Sequence, residues 1–132
     1  MMSFRITGLA RRVGVLGATA GLVALSAAAI LTERDEVEVI LQDGAIEAAD
    51  STTSGETLFR IRNDGERAHG LAVRTVAEEP REVAALDETV APGETALLEA
   101  MLEPGSYEIY CPVSSHRDQG MSRVLTVVDQ TD

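Results

Sequence analysis

Cys111 opens the run Cys-Pro-Val-Ser-Ser-His-Arg-Asp-Gln-Gly-Met, which spaces a thiol, an imidazole and a thioether as C-x4-H-x4-M over Cys111, His116 and Met121. Soft sulfur combined with imidazole selects copper over the hard cations. Two histidines, one cysteine and a weak axial methionine make up the electron-transfer type of copper site. The chain has one cysteine and two histidines, so the second imidazole of such a set is His69.

Each residue also has a plainer reading. A lone cysteine is often a small buried hydrophobe, a histidine after a turn is often solvated, and a methionine before an apolar strand is often core filling. A Cys-His catalytic pair would need an orienting Asn or Asp, and no motif in the sequence marks one out for that role. An unpaired cysteine is a liability in an oxidising compartment, and metal ligation explains its presence. The ordered set His69, Cys111, His116 and Met121 is hard to obtain by any of the plainer routes.

The elements that must position these residues read as β-strands separated by turns. Val37, Val39 and Leu41 alternate with Glu36, Glu38 and Gln42, and Asp43-Gly44 turns the chain. Phe59 and Ile61 alternate with Arg60 and Arg62 over Thr57 to Asn63, and Asn63-Asp64-Gly65 breaks that strand. Gly70 to Val76 is extended. Ala77 to Asp87, rich in Ala, Glu and Arg, reads as a polar crossover holding a helical turn. Pro92-Gly93 starts a strand running through Leu102, and Pro104-Gly105 turns into Ser106 to Cys111, where Tyr107, Ile109 and Cys111 share one face. Val124 to Val128 closes the domain. About seven short strands punctuated by turns predict an all-β, two-sheet sandwich. In that arrangement Cys111 ends one strand, His116 lies in the following loop and Met121 begins the next strand.

The first 31 residues read as targeting. Arg5, Arg11 and Arg12 precede 19 uncharged residues from Val13 to Leu31. That run exceeds the roughly 7–15 residues of a signal-peptide apolar region and approaches the ~20 needed to span a bilayer. Ala27-Ala28-Ala29 offers a cleavage site, whereas Ile30 and Leu31 extend the run as an anchor helix would. Arg11-Arg12 admits a twin-arginine signal or an ordinary basic flank. Residues 1–31 are therefore expected to be a signal peptide or membrane anchor, and 32–132 a single exported domain on the periplasmic or extracytoplasmic side. Membrane contact, if that segment is uncleaved, is through residues 13–31.

All 22 acidic residues fall after Leu31, with eight of the 11 arginines and no lysine, which leaves the domain formally at −14. Such a surface repels nucleic acid and attracts a basic protein. The acidity and the absence of lysine also match adaptation to high salt, and an arginine-biased genome accounts for the latter alone.

The stretches Phe-Arg-Ile-Arg-Asn-Asp-Gly-Glu-Arg-Ala-His-Gly-Leu (59–71), Ala-Pro-Gly-Glu-Thr (91–95) and Leu-Glu-Pro-Gly-Ser-Tyr-Glu-Ile-Tyr-Cys-Pro (102–112), followed by His116 and Gly120-Met121, resemble the cupredoxin family of small blue copper proteins. The resemblance spans nearly all of 32–132. It implies a Greek-key β-sandwich, one type 1 copper ion cycling between Cu(II) and Cu(I), and the shuttling of single electrons between redox proteins, without enzymatic turnover. The implied ligands are His69 and His116 through imidazole, Cys111 through thiolate and Met121 through a long axial thioether. The implied partners are redox proteins such as a basic cytochrome or a membrane oxidase or reductase, met by a monomer. A copper carrier or storage protein of the same fold is the alternative. In plant relatives a tyrosine at the place of Tyr110 marks a second electron-transfer patch.

Three positions depart from the common pattern. Gly70 stands where relatives often carry an Asn that ties the ligand loops together. Ser114-Ser115 stands where many have Pro-Gly, and Arg117 and Asp118 make the surface beside His116 more polar than usual. The looser, more polar loops that these residues imply would make docking electrostatic. A related binuclear copper site needs two bridging thiolates, and Ser115 stands where the second would lie.

Overall fold

The computed structural model describes residues 33–130, and the segment read as a signal or anchor lies outside them. Among the described residues nine strands run in the order β1 (Asp35–Gln42), β2 (Ala45–Ala48), β3 (Ser51–Thr53), β4 (Gly55–Asn63), β5 (Ala72–Thr75), β6 (Glu82–Ala85), β7 (Thr95–Leu102), β8 (Gly105–Tyr110) and β9 (Ser122–Val128). They form a four-stranded sheet, β2-β1-β4-β7, and a five-stranded sheet, β3-β9-β8-β5-β6. The pairs β1–β4 and β3–β9 are parallel and the rest antiparallel. This is the expected all-β sandwich. Among the described residues no helix is long and apolar enough to cross a membrane.

The core follows from the alternation. Val37, Val39 and Leu41 of β1 and Phe59 and Ile61 of β4 point inward from the first sheet; Val73, Tyr107, Ile109, Leu125 and Val127 meet them from the second. Each fully buried side chain of this size contributes about 1.5–3 kcal/mol through removal of apolar surface from water. On the outer face of the first sheet, Arg60 pairs with Glu36 across neighbouring strands, which keeps that face wet.

The crossover between Ala77 and Asp87 is a correction. It holds β6, not a helical turn, and β6 is the edge of the five-stranded sheet, paired to β5 across a bulge between Val73 and Arg74. Val83 and Ala84 pack against the core from this edge. Strand pairing there outweighs the helix preference of Ala and Glu, and the exposed edge tolerates polar composition. The strands β2 and β3, of four and three residues, are too short to display an alternation and were not anticipated.

Candidate metal centre

The ligand loop begins where β8 ends. Strand alternation carries Tyr107, Ile109 and then Cys111 inward, and Cys111 is completely buried. The loop is closed by its own backbone. The Cys111 amide donates to the Met121 carbonyl at 3.1 Å, the Met121 amide to His116 at 3.1 Å, and the His116 amide to Val113 at 3.0 Å. A 3-10 turn at Arg117–Gln119 follows His116 and ends at Gly120, whose φ of 116° is left-handed. A Cβ on Gly120 would run into the Gly44 carbonyl, so the turn between β1 and β2 sits directly against this loop.

His69 arrives from the segment between β4 and β5. It forms an isolated antiparallel bridge with Val90, its amide donating to the Val90 carbonyl at 3.1 Å and its carbonyl accepting from the Val90 amide at 2.7 Å. Asn63, fully buried at the end of β4, ties this segment down. Its Nδ2 donates to the carbonyls of Arg67 and Val90, each at 2.8 Å, and its Oδ1 accepts from the Gly65 amide at 2.8 Å. The absence of Asn after His69 therefore does not leave the loop untied. Gly70 also donates its amide to Cys111 Sγ at 3.3 Å, joining the two ligand segments.

These elements bring three of the four expected donors to one point. His69 Nδ1 lies 3.2 Å from His116 Nδ1 and 4.0 Å from Cys111 Sγ, and His116 Nδ1 lies 3.7 Å from that sulfur. The three are the one group of at least three such residues among those described whose donor atoms could hold a metal ion, all lying within 4.8 Å of one another. Met121 is fully buried at the far end of the same loop, bonded through its backbone to both Cys111 and His116. An ion with bonds of about 2.0–2.3 Å to two imidazoles and a thiolate in a near-trigonal array holds those donor atoms roughly 3.4–3.9 Å apart. The three separations bracket that spacing. The donor set, two imidazoles and a thiolate with a methionine nearby, fits a single copper ion of the type 1 class.

Two polar clusters border the site. Asp43, from the turn between β1 and β2, accepts from His69 Nε2 at 2.7 Å and from the amides of Glu66 at 3.0 Å and Arg67 at 3.3 Å. The Glu66 amide, then the His69 imidazole, hold its carboxyl below the usual carboxylate range. On the β8 side, Glu108 is clamped by Arg74, Arg117 and Ser122. Burial pushes its carboxyl up, but hydrogen bonds from Arg117, Ser122 and Arg74 more than offset this and bring it to about 2. The Arg74 and Arg117 guanidinium groups lie 4.7 and 5.8 Å from the centroid of the Tyr110 ring. Tyr110 is thus flanked by cations.

Asp43 and Asn63 were legible only as turn and strand-end residues. Their partners in the site lie 26 and 27 positions away in sequence.

Similarity to known proteins points the same way. No curated protein matches the chain. Among solved structures it is similar to auracyanin from Roseiflexus castenholzii, at 17% identity and TM-score 0.58, covering 74% of this chain and 98% of that one. Auracyanin A, a blue copper protein from Chloroflexus aurantiacus, is similar at 14% identity and TM-score 0.60, with 72% and 99% coverage. Rusticyanin is similar at 15% identity and TM-score 0.57, with 74% and 81% coverage. These likenesses are of fold. The model of the cupredoxin-like domain matches residues 15–124, and the chain belongs to the cupredoxin family.

Proposed function

We propose that this protein is a type 1 copper electron carrier, working outside the cytoplasmic membrane from a domain at 32–132 behind a signal or anchor segment at 1–31. The observation that carries this reading is the convergence of His69 Nδ1, His116 Nδ1 and Cys111 Sγ within 4.8 Å, with Met121 buried at the end of the same loop. The ligand roles of these four residues are part of the proposal. Copper held there supplies a one-electron couple, since thiolate and thioether favour Cu(I) and imidazole suits both oxidation states.

The chain's own residues hold the donors still and limit access. Backbone hydrogen bonds close the 111–121 loop on itself, and Asn63 and Val90 fix His69, so the donor frame has little freedom to rearrange. His69, Cys111 and Met121 are buried while His116 is partly exposed, which makes His116 the donor side chain that a partner touches. The formal charge of −14 over 32–132 steers basic redox proteins toward the domain and repels nucleic acid. The domain acts as a monomer, carrying electrons and converting no substrate.

The experiment is voltammetry of the copper-loaded protein, with copper content measured before and after cycling, followed by electron exchange with a basic cytochrome. Reversible one-electron cycling with copper retained is expected. Release of Cu(I) to a chelator at each reduction would assign the chain to copper carriage instead.

A further inference from the structure

The Asp43–His69 contact has features that a surface hydrogen bond does not need. An ionised carboxylate only accepts hydrogen bonds, so the proton of the 2.7 Å contact belongs to His69 Nε2. In the neutral imidazole that leaves Nδ1 as a bare lone pair, and Nδ1 is the atom facing His116 Nδ1 and Cys111 Sγ. The carboxylate is itself held by two backbone amides, those of Glu66 and Arg67. The neighbouring backbone is bare where the carboxylate must reach: a Cβ on Gly65 would stand 2.5 Å from Asp43 Oδ1 and 3.0 Å from His69 Nε2. Gly65 is not among the positive-φ residues, so what requires glycine there is space and not backbone conformation. Close contact of Gly120 with Gly44 seats the turn carrying Asp43 against the ligand loop.

We infer that Asp43 is a positioning residue for the metal centre, fixing His69 as the Nε2–H tautomer with Nδ1 presented to the ion and favouring the more highly charged Cu(II) over Cu(I). This rests on the copper reading above. A carboxylate on the far nitrogen of a ligating histidine sets its tautomer and ring orientation and raises its basicity. Its negative charge, one imidazole away from the ion, stabilises the divalent state more than the monovalent one.

The test uses the full chain and three variants. Asp43→Asn keeps an acceptor in place and removes the charge, Asp43→Ala removes both, and Gly65→Ala crowds the carboxylate, the Asp43 backbone amide and His69 Nε2 while leaving Asp43 in the sequence. Cu(II) affinity is expected to fall about 10–100-fold in Asp43→Asn and Gly65→Ala. Cu(I) affinity should fall less, so the midpoint potential rises by about 59 mV for each tenfold loss confined to Cu(II). In the metal-free protein, nitrogen chemical shifts of His69 should report one Nε2–H tautomer in the wild type and a mixture in Asp43→Ala. Should Asp43→Ala fail to fold, Gly65→Ala serves for the tautomer measurement. Wild-type affinity, potential and tautomer in the folded variants would overturn the inference. A wild type that binds no copper would sink the copper reading instead, and the metal-free tautomer would still decide whether Asp43 sets the imidazole.

Discussion

Asn63 Nδ2 donates to the Val90 carbonyl at 2.8 Å, and that carbonyl also accepts the His69 amide at 3.1 Å. One backbone oxygen therefore couples the end of β4, the segment carrying His69 and the approach to β7. Asn63 is fully buried and makes two further hydrogen bonds in the same loop, so its removal strands several polar groups away from water.

Asn63→Ala should destabilise the domain by about 2–4 kcal/mol, the cost of leaving buried partners unsatisfied. Urea unfolding of the metal-free protein measures this. A loss below about 1 kcal/mol would mean that water or a loop shift replaces the side chain.

Gly120→Ala should be as damaging for a different reason. A φ of 116° is strained for any residue with a Cβ, and the added carbon would collide with the Gly44 carbonyl. The expected loss is about 1–3 kcal/mol together with weaker metal binding, because the collision opens the junction between the ligand loop and the Asp43 turn. Wild-type stability and copper affinity in this variant would show that the two turns do not touch as described.

The Glu108 cluster gives a pH-dependent signature. The carboxyl is lowered from 4.5 to about 2 in the folded state, so its contribution is fully present above about pH 4.5 and disappears as pH falls through 2. The stability difference between wild type and Glu108→Gln should be about 2–3 kcal/mol at neutral pH, flat down to about pH 5, and should shrink below that. A difference that stays constant from pH 7 to pH 2.5 would contradict the assignment.

Tyr110 is expected to take no part in docking a basic partner. Arg74 and Arg117 lie close to its ring and their charges are balanced by Glu108 and Asp118, so that flank offers a basic partner no net negative charge, whereas the domain as a whole is acidic. Tyr110→Leu should cost about 0.5–1 kcal/mol of stability through the lost cation–π contacts. Its electron-transfer rate with a basic cytochrome should be unchanged, and a fall of tenfold or more in the folded, copper-loaded variant would show that the ring lies on the route.

What the sequence revealed depended on how local each signal is. Cys111, His116 and Met121 fall within eleven residues of one loop, and His69 followed because no other histidine remains. The strands β1, β4 and β8 announced themselves by alternation of residue type; β1 buries one face and wets the other, while Leu58 of β4 and Glu108 of β8 are buried on the opposite face as well. β6 did not, because an edge strand of Glu, Val and Ala carries its identity in the pairing with β5 and not in its own pattern. Asp43 and Asn63 were hidden for the same physical reason. Each looks like a turn or strand-end residue until the fold brings its distant partner within reach.

On the proposed reading His69, Cys111 and His116 hold one copper ion through a short copper–sulfur bond. Cu(II) added to the purified protein, and to Cys111→Ser alongside it, tests this by visible absorption. An intense copper–thiolate band in the visible is expected in the wild type and none in the variant. Absence of that band in a folded wild type that has taken up one equivalent of copper would contradict that reading.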